Sequence, residues 1–335
     1  MGLKNSNIIL ADFPVTSDWH FLKALENFSG KHFSVKWIDG TAGVSRMARI
    51  VKYFLFPIKT FLKRNSYQNI ICWQQFFGIM IAFYCKVFRV KKGPKLSVMT
   101  FIYKSKEGAI GKIYKKWVKY SVNSKYVDHI VVYSKHEIEL YHKELEIPLD
   151  KLFYIPLSIP EAPEMNDDEV LLAENYIFSP GKSNRDFDFL VNALLSESYN
   201  VHIACDDYPA VDAPNITVHH NLFNEGMYHY MHNCRCVVIP LKDLNISSGQ
   251  LVVLQAMQIK KPIIITKSNA ITDYVKNDFN ALVINNTKSE LLKALHSIYN
   301  DDKLCARLTN NGFQQYCDRH TENAMGKAMA QIINS

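Results

Sequence analysis

Two short loops carry the residue types that could do chemistry. In Tyr176-Ile-Phe-Ser-Pro-Gly181-Lys182-Ser-Asn-Arg185-Asp186 an apolar strand pattern runs into a turn at Gly181, and Lys182 and Arg185 stand beside the start of the next helix. A guanidinium is a planar fork matched to two oxygens of a phosphate, and an ammonium is a point charge beside it. In the second loop, Ser247-Ser248-Gly249-Gln250 opens a helix, where free backbone N–H groups and the positive end of the helix dipole hold an anion. Both loops suit a phosphate.

The elements around them read as alternating strands and helices. Cys236–Ile239 and Pro262–Thr266 are apolar without polar alternation, as parallel strands covered on both faces must be. The helix between them runs from Gly249-Gln250 to about Ile259, and another is expected near Ala270. Further strands are expected at Tyr176–Ser179, Asn200–Cys205, Ile216–His219 and Ala281–Ile284. The first half repeats the pattern with strands at Asn7–Ala11, Phe33–Ile38, Gln68–Cys72, Lys95–Met99, His129–Tyr133 and Leu152–Ile155. Helices are expected at about 17–28, 44–64, 76–89, 108–125 and 134–146, the last opened by a Ser134/Glu137 capping box. Alternation of this kind gives right-handed βαβ units and parallel sheets.

Specific runs carry a family resemblance. Val238-Ile-Pro-Leu241, Ser247-Ser-Gly-Gln-Leu-Val-Val-Leu-Gln-Ala-Met257, Lys260-Lys-Pro-Ile-Ile-Ile-Thr266, Ile271-Thr-Asp-Tyr-Val275 and Asn280-Ala-Leu-Val283 are similar to the donor half of retaining GT-B glycosyltransferases of the family 4 type. Gly181, Lys182 and the Arg185-Asp186 pair resemble the same family's first donor loop. The resemblance implies an α/β protein of two Rossmann-like doubly wound domains facing across a cleft. Residues 1–160 would form the acceptor domain, 161–320 the donor domain, and 321–335 a helix crossing back to the first. Pro156, Pro160 and Pro163 mark the boundary.

In that frame Arg185 and Lys182 are the catalytic candidates, neutralising a departing diphosphate. The donor, a UDP-, GDP- or similar nucleotide sugar, would be held by Gly181, Ser247, Ser248, Gly249 and Gln250. Asp206, Asn221 and Leu222, at the carboxyl ends of strands, are candidates for the base and ribose. The family shows Glu, seven residues, Glu; here Ser247 and Gln255 stand at those positions, and Gln255 would hydrogen-bond the ribose without charge. The acceptor candidates are Trp73 and Gln74, to stack on and bond a sugar, Thr100, where the family commonly has a His, and Lys104 and Lys106, to meet an acceptor phosphate.

No metal site and no cofactor beyond the donor substrate are expected. Asp186-Phe-Asp188 has the Asp-x-Asp form of metal-dependent transferases, but falls in the first turn of a helix, where acids meet the dipole. The seven cysteines show no metal spacing and read as buried thiols of a reducing compartment.

Charge is divided unevenly over the 335 residues. Residues 1–160 hold 25 Lys+Arg against 11 Asp+Glu, a net of +14, which leaves −7 for the remainder of a chain at +7. The first half faces something anionic. Segment 44–64 interleaves Arg46, Arg49, Lys52, Lys59, Lys63 and Arg64 with aromatic and aliphatic residues and contains Pro57. This pattern suits an anionic membrane interface. No nucleic-acid motif is present. The expected protein is a cytoplasmic, metal-independent, retaining glycosyltransferase, peripheral at the inner face of the membrane, that acts on a lipid-linked or cell-surface polysaccharide precursor. Ser247 and Gln255 keep a second reading open, a degenerate GT-B protein that binds nucleotide or a partner without transfer. A soluble nucleotide-sugar epimerase would leave the basic segment unexplained.

Overall fold

The structure, a computed structural model, describes residues 6–39, 46–244, 248–269 and 271–335, without the side chains of Arg46, Met47 and Arg49. It divides into two compact units, one of residues 1–156 and 322–335, the other of residues 157–321.

The first unit contains β1 (Ser6–Ala11), α1 (His20–Ser29), β2 (Phe33–Trp37), α2 (Arg46–Leu62), β3 (Tyr67–Cys72), α3 (Gln75–Val87), β4 (Lys95–Val98), α4 (Gly108–Val122), β5 (His129–Val132), α5 (Lys135–Leu145) and β6 (Leu152–Tyr154). Its six strands are parallel, in the order β2-β1-β3-β4-β5-β6. The interior strands are almost wholly buried, which is why their sequences do not alternate. The capping box of α5 forms: His136 N donates to Ser134 Oγ at 3.2 Å and Ser134 N to Glu137 Oε2 at 3.0 Å. α2 continues on both sides of Pro57.

The second unit contains α6 (Glu169–Glu174), β7 (Ile177–Pro180), α7 (Phe187–Leu194), β8 (Val201–Ala204), β9 (Ile216–His219), α8 (Asn224–Asn233), β10 (Cys236–Ile239), α9 (Gln250–Gln258), β11 (Ile263–Thr266), β12 (Leu282–Ile284), α10 (Lys288–Asn300) and α11 (Asp302–Arg319). The parallel order is β12-β11-β10-β7-β8-β9. The chain starts at the centre, winds outward, returns, and winds outward on the other side, so its switch point lies between β7 and β10. Val237 and Ile239 join one hydrophobic cluster and Cys236 and Val238 the other, so both faces of β10 are covered. The helix expected near Ala270 is not formed among the described residues. Ala270 lies outside the described residues, and 271–274 make a turn. Asn280 closes it, accepting from Lys276 N at 2.8 Å and donating to Tyr274 O at 3.1 Å, which takes the carbonyl a longer helix would use.

The last helix, α12 (Glu322–Asn334), packs on α1 and belongs to the first unit. The contact is close at Gly326, where a Cβ would come within 2.4 Å of Phe21 O.

Candidate functional site

At the switch point of the second sheet, two loops separated by about sixty residues are laced together. Arg185 bridges Leu241, and Asp186 N donates to Pro240 O at 3.0 Å. Asn184, at φ +56°, reaches further into the second loop. Its Nδ2 donates to Asp243 O and to Ser248 Oγ, both at 2.8 Å, and its Oδ1 accepts from Asp243 N at 2.7 Å. Neither spacing nor charge marks Asn184 in the sequence. Only its left-handed backbone, which Asn tolerates better than most residues, is a local signal.

Arg185 is clamped on its own loop. Its Nε donates to Pro180 O at 3.1 Å and its Nη1 to Ser183 O at 2.9 Å. Gly181, at φ +129°, makes room, since a Cβ there would lie 2.6 Å from Arg185 Nη2. Burial pulls the guanidinium pKa down to about 10, which leaves it charged at neutral pH. Lys182 is exposed and pairs with Asp207 at 2.7 Å, and this bond holds its pKa above the usual lysine value. Asp206 Oδ1 accepts from Asn221 N at 2.7 Å, which ties the turn after β8 to the one after β9. Leu222 packs against the core and presents no polar group.

The N-terminus of α9 has no side-chain cap, and Gly249 precedes it at φ +88°. The positive end of the α9 dipole lies at this turn. The buried hydroxyl of Ser248 is held by Asn184, and Gln250 is buried; Ser247 lies outside the described residues. Gln255 sits farther along α9, half-buried, its side chain bonded to the Tyr228 hydroxyl, which also donates to Gln258 Oε1 at 2.8 Å.

The Asp-x-Asp carboxylates are engaged locally. Asp186 caps α7 through Phe189 N at 3.1 Å and accepts from Asn286 at 3.2 Å, and Asp188 accepts from the Tyr208 hydroxyl at 3.1 Å. Among the described residues no group of three His, Cys, Asp or Glu is placed to hold a metal ion.

The acceptor candidates all belong to the first unit. The Trp73 ring lies in an aromatic cluster, 4.9 Å from Phe21, 5.0 Å from Trp19 and 5.7 Å from Phe13. Thr100, at φ +48°, donates its hydroxyl to Trp73 O. The Tyr133 hydroxyl bonds Thr100 and is pushed far above the usual phenol range by burial. Gln74 caps α3 through Phe76 N at 3.0 Å and donates to Asp12 Oδ2 at 3.3 Å. Asp12 follows β1 at that sheet's switch point and also accepts from the Tyr53 hydroxyl at 2.9 Å. No motif in the sequence marks this carboxylate. Lys104 and Lys106 are exposed, and Lys106 Nζ lies 4.4 Å above the Tyr114 ring.

Residues 213–315, which include β10, α9 and β11, match the family of glycosyl transferases group 1. No curated protein matches the chain. Among solved structures, the sucrose-phosphate synthase of Thermosynechococcus elongatus is similar, with a TM-score of 0.70, 14% identity and 98% of each chain covered. Anabaena Alr3699/HepE in complex with UDP has a TM-score of 0.67 at 10% identity, covering 98% of this chain and 99% of its own. WaaG, a glycosyltransferase involved in lipopolysaccharide biosynthesis, has a TM-score of 0.62 at 12% identity, covering 98% and 100%. These likenesses show the two-sheet GT-B fold, and the group 1 match lies within the second unit. The chain thus has the GT-B fold and carries, over residues 213–315, a domain of the glycosyl transferases group 1 family.

Proposed function

We propose that this glycosyltransferase moves a sugar from a nucleotide diphosphate sugar to a lipid-linked or cell-surface polysaccharide precursor, with retention and without a metal. The observation that carries the reading is the switch-point edge of the second sheet. There the N-terminus of α9, Lys182 and the clamped Arg185 gather positive charge at the carboxyl ends of β7 and β10. A diphosphate resting there has its developing charge met by cations and amides, and the leaving phosphate can take the acceptor proton. HepE binds UDP, which supports the same donor class for this chain. Asp206, Asn221 and Gln255 are the proposed contacts to base and ribose, and Trp73, Gln74, Thr100, Lys104 and Lys106 the proposed contacts to the acceptor.

The membrane part of the proposal rests on α2. Val51, Leu55 and Leu62 are 51%, 58% and 68% exposed, and Lys52, Lys59 and Lys63 lie among them. No described helix is long and apolar enough to cross a membrane. The protein would lie peripherally on an anionic, cytoplasmic face.

A second reading, nucleotide binding without transfer, is favoured by one observation. Gln255 takes the place of a carboxylate and is committed to Tyr228. Thermal shift with UDP, GDP and other nucleoside diphosphates, followed by transfer of labelled sugar from the one that binds, tests both. A ligand at 100 times its Kd adds about 2.7 kcal/mol. A shift with transfer supports the proposal, and a shift without transfer to any membrane-extract acceptor supports the second reading. No shift with any nucleoside diphosphate overturns both.

A further inference from the structure

The amino-terminal edge of the first unit's sheet, opposite the carboxyl ends of its strands, holds a cavity of about 790 Å³. That volume is in the range of small-molecule sites. Its walls carry Lys31, Arg64, Lys92 and Lys95, and no carboxylate side chain among the described residues. None of the four cations makes an ion pair among the described residues. Lys31 donates to the Asn334 side chain instead. Arg64 donates through Nη1 to Phe61 O at 3.1 Å, its guanidinium lies 4.7 Å from the Phe61 ring centre, and its buried Nε finds no acceptor. Four like charges around one cavity repel each other and raise the local potential, which an anion relieves.

The remaining polar lining narrows the ligand. Asn65, Gln68, Asn69 and Asn334 contribute side-chain amides, of which Asn334 accepts from Lys31 and donates to Ser29 O at 3.4 Å. Asn69 is fixed, donating to Asn7 Oδ1 at 2.8 Å. Amides match sugar hydroxyls, while the fork of Arg64 and the ammonium groups of Lys92 and Lys95 match a phosphate. We propose that this cavity binds a phosphorylated sugar, with its phosphate among Arg64, Lys92 and Lys95 and its hydroxyls on the amides. The site lies in the other unit from the donor edge and does not rest on the donor assignment.

The test is calorimetric titration of the full chain with the 1- and 6-phosphates of glucose, galactose and mannose, with inorganic phosphate and free glucose as separate arms. At least one sugar phosphate should bind tenfold or more tightly than inorganic phosphate, and glucose should not bind measurably. Lys92→Gln combined with Lys95→Gln should weaken that binding at least tenfold with an unchanged melting temperature, since both side chains are solvated. Lys182→Ala, in the second unit, should leave it unchanged. No binding of any sugar phosphate by wild type, equal binding by the double variant, or equal affinity for inorganic phosphate would each overturn the proposal. So would binding to phosphatidic acid vesicles that depends on Lys92 and Lys95 while every free sugar phosphate fails, because the cations would then serve a lipid headgroup.

Discussion

Asn184 Nδ2 donates to Ser248 Oγ at 2.8 Å, fastening the loop that follows β7 to the approach to α9. With its two bonds to Asp243, this one side chain holds both loops in register.

Asn184→Ala removes three hydrogen bonds, one part-buried and two exposed, each worth at most about 0.5–1.5 kcal/mol net. Thermal unfolding should show a loss of about 1–3 kcal/mol, and nucleoside diphosphate binding should weaken more than tenfold as the loops separate. Asn184→Asp keeps only the acceptor side and should fall between. Unchanged ligand affinity in Asn184→Ala would mean that the two loops are positioned by the sheet alone.

Lys182 and Arg185 differ in what holds them, so their variants should differ in kind. Lys182 is solvated beside Asp207, and Lys182→Ala should lower transfer tenfold or more with no change in melting temperature. Arg185 also fills the space over Gly181 and ties down Pro180 O and Ser183 O, so Arg185→Ala should lower both transfer and stability. Transfer rates and melting curves of the two variants check the split. Transfer within twofold of wild type in both removes these cations from the chemistry.

His320 is fully buried in the second unit, stacked on Tyr274, with Nδ1 donating to Leu157 O at 2.9 Å. Burial first, and then the charge of Arg319, outweigh the carbonyl bond and pull its pKa down to about 4. A histidine depressed in the fold is protonated more readily when unfolded, so its contribution is complete above the unfolded value near 6.5 and is lost as pH falls toward 4. The loss should reach about 3 kcal/mol at the lower end. Chemical denaturation at pH 7.5 and pH 4.5 should show it, and His320→Gln, less stable at pH 7.5, should have a flatter profile. Equal slopes for the two proteins would assign the acid sensitivity elsewhere.

Anionic vesicles should bind the protein reversibly through α2. Each cation near such a surface is worth about 1 kcal/mol, decaying within a Debye length, so binding should fall steeply with salt. Replacing Lys52, Lys59 and Lys63 together by Gln, which leaves Arg46, Arg49 and Arg64, should roughly halve the salt-sensitive part and leave stability nearly unchanged, because solvated cations contribute little to the fold. Flotation at low and high salt measures this. A wild-type protein that stays unbound at low salt would make α2 an ordinary packing helix.

The twelve strands of the described residues were legible in the sequence because strand burial is written locally. β10 and β11 are read from continuous apolar runs, and both faces of β10 are covered. The α5 cap was equally legible, since Ser134 and Glu137 meet within one turn. Orientation within the candidate site was not legible. The sequence placed Arg185 beside a phosphate loop, yet whether its fork points outward or onto Pro180 O and Ser183 O depends on the turn at Gly181. The lacing by Asn184, the commitment of Gln255 to Tyr228 and the clasp of Asp12 by Tyr53 and Gln74 join residues 27 to 64 positions apart. Sequence spacing carries no record of such pairs. They exist because parallel strands bring the loops at their carboxyl ends to one edge of a sheet, and only the folded order of the strands decides which loops become neighbours.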